Sequence, residues 1–148
     1  MNELKGILIT YKNEIAKVKF NRDHENFFKS IKQHTGGEAF DIGDVAPELN
    51  KAYGRLCFAV DDNGMHNMGL GAMNKAGTTI YAHKGYVVGN IIVFREDYNA
   101  VKELNFVDMS EDEQDRLYHD FRTTFKLKEI KVKWAIWYYY WVDLHSNK

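Results

Sequence analysis

The residue types that do covalent or metal chemistry are present in this chain, but their spacing does not serve that chemistry. Of the six histidines, His24, His34, His66, His83, His119 and His145, no two lie three or four residues apart, as two zinc ligands on one helical face would. The three serines are Ser30 inside a helical pattern, Ser110 at a helix cap and Ser146 near the end, none beside an obvious base. Asp61-Asp62-Asn63-Gly64 resembles the start of a calcium loop. The fifth position of that loop would be Met65 and the twelfth Ala72, where oxygen ligands are needed. Gly69 and Gly71 supply two of the three glycines of a dinucleotide fingerprint, and Gly71 to Thr79 lacks the adjacent Gly-Lys-Thr of a triphosphate cradle. The sequence therefore assigns no catalytic residue, no metal and no cofactor, and its primary reading is not an enzyme.

Binding is the chemistry that remains. Met65 to Ala82 is rich in glycine and poor in periodicity, which predicts an irregular excursion with one helical turn near Ala72 to Lys75, a natural place for a binding surface. The polar and amphipathic residues on this excursion and on the strand after it are the candidate ligand contacts: Asn74, Lys75, Tyr81, His83, Asn90 and Arg95. Each has a structural alternative, with Asn74 as a turn cap, Tyr81 as core, Asn90 at an edge or bulge, and the cations as solvated surface. His66 and His83 flank the excursion and could converge across it, which is where a base would lie in a nucleotide-cleaving enzyme, the least favoured reading. The strongest compositional anomaly lies near the end. Trp134, Trp137, Tyr138, Tyr139, Tyr140 and Trp141 place six aromatics in eight positions. One face of such a strand suits core packing; the other suits a second subunit or a platform for a planar ligand.

These residues need a scaffold, and the hydrophobic pattern sketches one. Leu4 to Tyr11 and Glu14 to Phe20, joined through Lys12-Asn13, read as a β-hairpin. Asp23 can cap a helix over His24 to His34 that ends at Gly36-Gly37. Glu38 to Ile42 reads as a weak strand, and Asp44 through Pro47 to Gly54 as a loop. Arg55 to Val60 is a firm strand closed by a tight Asn63-Gly64 turn with positive φ angles. Tyr86 to Arg95 is hydrophobic enough to be central in a sheet, and Glu129 to Leu144 reads as a last strand buried on two sides. Ser110 and Glu113 form a capping box ahead of Leu117, Tyr118, Phe121 and Phe125 at helical spacing, which predicts a helix over Glu111 to Thr124. The sum is a single α+β domain over 1–148: a mixed, mostly antiparallel sheet of five or six strands with two helices on one face.

A chain of 148 residues buries roughly two thirds of its unfolded surface, enough for a core without disulfides or a structural metal. Its single cysteine, Cys57, sits in an apolar run as a small hydrophobe, which points to a reducing, cytoplasmic compartment. The start lacks the features of a secretory signal, and the longest apolar stretch, Trp134 to Val142, is half of what a spanning helix needs, so neither export nor a membrane partner is expected. A formal charge of −1 argues against a strongly basic nucleic-acid binder.

From about Gly36 to Leu117 the order of landmarks resembles a family of short, uncharacterised proteins carried by phages and mobile elements. The landmarks are Gly36-Gly37-Glu38, Val60-Asp61-Asp62-Asn63-Gly64, Met73-Asn74-Lys75, Tyr81, Val88-Gly89-Asn90-Ile91-Ile92-Val93 and Asp108-Met109-Ser110-Glu111. The family's Leu-Pro-Leu-Asn-Arg stretch stands here as Gly71-Ala72-Met73-Asn74-Lys75, and the aromatic tail looks like an addition. The resemblance implies a setting more than a mechanism. In that setting small non-enzymatic proteins counter host antiviral defence, by sequestering a nucleotide-derived immune signal or by docking on a host defence protein. Sequestration of a small nucleotide-like ligand is the leading expectation, protein docking the alternative, and a homo-oligomer formed through the aromatic C-terminal strand is a further one.

Overall fold

The computed structural model describes residues 3–21, 29, 31, 32, 34, 35, 39–98 and 104–131. The chain opens with an antiparallel hairpin, β1 (Glu3–Ile9) and β2 (Glu14–Asn21), in register from Glu3↔Asn21 to Ile9↔Ile15. Asn13 takes the left-handed backbone that this reversal requires, with φ 62°. The edge hairpin β3 (Phe40–Asp44) and β4 (Leu56–Asp61) is joined by helix α1 (Pro47–Tyr53). Three short helical pieces follow: α2 (Gly64–Met68), a 3-10 turn (Leu70–Ala72) and α3 (Lys75–Ile80). The chain then enters β5 (Ile91–Tyr98) and β6 (Leu104–Val107), and ends its described part with α4 (Glu111–Phe125) and β7 (Lys128–Glu129).

The strands form one mixed, mostly antiparallel sheet in the order β3-β4-β5-β1-β2-β7, with only β2 and β7 parallel. β5 is central. Its first half pairs with β4 on one side and β1 on the other, and β6 takes the place of β1 along its second half. Alternation sorts each strand onto two faces. Ile7, Ile9, Ile15, Leu56, Phe58, Ile91 and Val93 lie on one face, against Leu117 and Phe121 of α4, Ala76 and Ile80 of α3, and half-buried Leu49 and Tyr53 of α1. Leu4, Leu8, Ala16, Val18, Phe20, Cys57, Ala59, Ile92 and Phe94 lie on the other face with Ile31, from a segment whose described residues are helical. Burial on both faces explains the near-continuous apolar runs of β4 and β5. Cys57 is fully buried, and burial pushes its thiol far above the ordinary range.

The α+β class and the antiparallel majority agree with the sequence reading; particular elements depart from it. Residues 47–53 form a helix rather than a loop, because Pro47 occupies the first helical turn, where its missing N–H costs nothing, and Gly54 ends the helix at φ 83°. Asn63 and Gly64 do not make a positive-φ turn. Asn63 has φ −115° and the chain passes directly into α2. The strand expected over Tyr86 to Arg95 begins only at Ile91, since residues 87–89 instead pair with the backbone of residues 72–74. Most of the helix expected over His24 to His34 and nearly all of the last strand, Glu129 to Leu144, lie outside the described residues.

Candidate binding site

A cleft of about 210 Å³ with the shape of a site lies at the β3 edge of the sheet. Its floor is Gly43, Phe58 and Val60, which share a face because Gly43 stands opposite Phe58 and Asp41 opposite Val60 in the β3–β4 ladder. The Phe58 ring lies directly over Gly43, in the space that a Cβ at position 43 would occupy. One wall is Tyr81, Val87 and Val88. Met65 and Tyr86 form the rim and expose 51% and 62% of their surfaces, two of the largest exposed apolar groups described. Tyr81 meets Phe58 edge-to-face at 5.8 Å and His83 at 5.3 Å, and its hydroxyl makes no hydrogen bond among the described residues.

Three carboxylates complete the lining: Asp41, Asp61 and Asp62. Asp61 is 5% exposed and held from two sides, accepting from the Asn63 N–H at 3.0 Å and from Asn67 Nδ2 at 3.1 Å. The Asp41 carboxylate accepts from the Ile42 N–H at 2.8 Å, and Asp62 is exposed. None of the three forms an ion pair among the described residues, and no lysine, arginine or histidine lines the cleft. The site is therefore an aromatic cleft with acidic walls. Such a lining stabilises positive charge and hydrogen-bond donors and repels phosphate.

The six residues singled out from the sequence have separate places. Asn74 is buried at the head of α3. Its side-chain oxygen accepts from the Gly77 N–H at 2.8 Å, and its amide donates to the Ile9 and Gly89 carbonyls, both at 3.0 Å. The first bond caps α3, the second ties the excursion to β1, and the third ties it to the segment that leads into β5. Asn90 is similarly engaged, accepting from the Tyr11 N–H and donating to the His34 carbonyl. Arg95 donates to the Tyr53 carbonyl at 2.9 Å and pairs with Glu113, which joins β5 to α1 and α4. Lys75 is exposed on α3. Tyr81 alone of the six lines the cleft; His83, with which it makes ring contact, is exposed and lies 3.3 Å from Asp44. His66 is exposed on α2 and shares no hydrogen bond or ring contact with His83, whose partners among the described residues are Asp44 and Tyr81. No group of three or more histidines, cysteines or carboxylates suited to a metal occurs among them either.

Sequence reasoning missed Asp41, Phe58, Met65 and Tyr86, and set Asp61 and Asp62 aside with the incomplete calcium loop. The available signal was Asp41 and Asp61 at opposite ends of two adjacent strand patterns, which an antiparallel pairing brings together. Among the described residues no helix is long and apolar enough to cross a membrane. Comparison with protein-family models, with curated proteins and with solved structures gives no match.

Proposed function

We propose that this chain is a non-catalytic binding protein that acts by docking on another protein through the cleft at β3. The sequence resemblance adds the setting to the proposal: a phage or mobile element, with a host defence protein as the target. One observation carries the docking reading: the cleft is open at a sheet edge, rimmed by exposed Met65 and Tyr86, and lined by carboxylates without a cation. Exposed aromatic and methionine side chains are the residues that anchor protein interfaces, and uncompensated charge selects a complementary partner.

Sequestration of a nucleotide-derived immune signal is the second reading. The faces of Tyr81 and Tyr86 favour it, since a base could stack there and offer its amino donors to Asp41 or Asp61. Its phosphates would have to lie outside the cleft, toward exposed Lys75 or Lys84.

Three measurements test the readings. A photo-crosslinking residue placed at Tyr86, in cells that carry an active defence system, should yield a discrete protein adduct, and expression of the unmodified chain should raise the plating efficiency of a restricted phage. Native mass spectrometry after mixing with cyclic and linear nucleotides should show the bare protein. A retained nucleotide, with no protein adduct at Tyr86, would overturn the docking reading in favour of sequestration.

A further inference from the structure

The outer edge of β3 and the cleft beside it form one composite surface. The Ala82 N–H donates to the Asp44 carbonyl at 2.9 Å and the Ala46 N–H to the Ile80 carbonyl at 2.8 Å, so residues 44 and 46 point their backbone groups away from β4. By the alternation of an antiparallel ladder Ile42 does the same. Along this edge the Asp44 N–H and the Ile42 carbonyl make no hydrogen bond among the described residues, and the Ile42 N–H is held only by the Asp41 carboxylate. Beyond the stretch that residues 80–82 already cover, the edge thus leaves two open groups, the Ile42 carbonyl and the Asp44 N–H, and one plugged donor, the Ile42 N–H. Open ladders of this kind accept an added strand.

The cleft lies directly against that ladder, since Asp41, Ile42 and Gly43 belong to both. At about 210 Å³ it is below the roughly 300–1,000 Å³ of small-molecule pockets, and it has room for one long side chain. Its walls suit an aliphatic stem against Phe58, Tyr81 and Tyr86 with a cationic end among Asp41, Asp61 and Asp62. A second copy of this chain does not suit the edge, because β3 carries two carboxylates and no cation, so pairing β3 with β3 would gather four acids without a compensating charge.

Resting on the docking reading, we propose that β3 is a strand-addition site for an extended basic segment of the partner, which pairs with the Ile42–Asp44 edge and inserts one lysine or arginine side chain into the cleft. The two halves are coupled through Asp41. A cation in the cleft draws the Asp41 carboxylate off the Ile42 N–H and frees that donor for the incoming strand, so the edge opens to a partner carrying the right charge.

The test uses the full chain, labelled with 15N, and four nine-residue peptides of alternating threonine and valine with a central lysine, arginine, norleucine or glutamate. The lysine and arginine peptides should shift the amide signals of Gly43, Asp44 and Tyr81, bind at least about ten-fold more tightly than the norleucine peptide, and weaken as salt is raised. Asp62→Asn should reduce that preference, and Asp41→Ala should both reduce it and strengthen the norleucine peptide by removing the plug. Asp44→Pro, which removes an outward N–H and leaves the bonds to β4 intact, should abolish binding of all four. Equal binding of the norleucine or glutamate peptide, shifts confined to another surface, no shift at millimolar peptide, or concentration-dependent self-association through β3 would each overturn the proposal. A protein adduct at Tyr86 that survives Asp44→Pro would overturn strand addition while leaving docking intact; absence of any adduct at Tyr86 when Asp44 is retained would remove the docking reading itself.

Discussion

Replacing Asn74 by alanine separates a residue that holds the fold from one that holds a ligand. The side chain is 1% exposed and makes three hydrogen bonds: from the Gly77 N–H, to the Ile9 carbonyl and to the Gly89 carbonyl. Truncation removes an N-cap, at about 1 kcal/mol. It also leaves two carbonyls with fewer partners in a place water does not reach, at about 1 kcal/mol or more each. The expected loss is about 3 kcal/mol. With a urea m-value of about 2 kcal/mol/M, the unfolding midpoint should fall by about 1.5 M with an unchanged slope. Asn74→Asp tests the geometry independently. It keeps the acceptor for Gly77 but turns the donating amide into an oxygen facing two carbonyl oxygens, so it should destabilise at least as much as alanine. Urea unfolding followed by far-UV circular dichroism measures both. A midpoint shift under about 0.5 M for Asn74→Ala would refute the account and return Asn74 to the surface-exposed ligand role that the sequence suggested.

Other perturbations test separate joints of the structure. Gly43→Ala places a methyl group against the Phe58 ring and should cost about 1–3 kcal/mol by overpacking; adding Phe58→Leu should recover part of that loss, and an additive double mutant would contradict the contact. Gln114→Ala removes donations to the Gly6 and Val18 carbonyls at 3.0 and 3.1 Å, by which α4 is tied to β1 and β2, and should lower stability by about 2 kcal/mol in the same urea assay. Tyr53, whose hydroxyl donates to Asp120 at 2.6 Å, and Tyr118 are both pushed up to about 12, by burial first and then by Asp120 and Glu129 respectively. Between pH 10 and 12 the unfolded chain loses these protons and the folded chain keeps them, so stability should fall as pH rises through that window. Tyr53→Phe should flatten the fall, and an absorbance titration at 295 nm should show late-titrating tyrosines that the variant reduces. The Cys57 thiol should stay unreactive toward a disulfide reagent until the chain unfolds; rapid labelling of the native protein would contradict its burial.

The parts of the fold that were legible in the sequence are those fixed by local chemistry. The Ser110–Glu113 capping box forms as its spacing predicts, each side chain bonding the other's backbone, and α4 follows it. The Lys12-Asn13 reversal and the apolar run at Leu56 to Val60 are equally local. What was not legible depends on partners distant in sequence. Val87 and Val88 are as apolar as strand residues, but they are buried by pairing with residues 72–74, while Gly89, at φ 89°, lets the chain turn into β5. α1 did carry a local signal, Pro47 at its start and Gly54 at its end, which the loop reading overlooked. At the site, polarity on the excursion and on the strand after it pointed to Asn74 and Asn90, whose polar atoms serve the fold. Tyr81 was found because it belongs to the excursion itself, whereas Asp41 and Asp61 become neighbours only through the β3–β4 register.

That register also explains why the acidic edge is stable without a partner. Buried charge is costly unless hydrogen bonds or solvent compensate it. Asp61 is compensated by the Asn63 N–H, from the turn into α2, and by the Asn67 amide, from α2 itself, so the most buried carboxylate of the cleft is fixed by the chain immediately after it. Asp41 is compensated by the Ile42 N–H of the open edge, and Asp62 by water. The three differ in how readily they can turn to a cation. Asp61 offers a fixed charge, Asp62 a solvated one, and Asp41 must give up a bond that is itself part of the edge. Asp41 and Asp62 are exposed and Asp61 is buried, so under the strand-addition proposal a cation entering the cleft meets the first two before the third. Release of the Ile42 N–H then depends on that cation outcompeting a single hydrogen bond to Asp41, which is why the edge is expected to favour a basic strand over a neutral one.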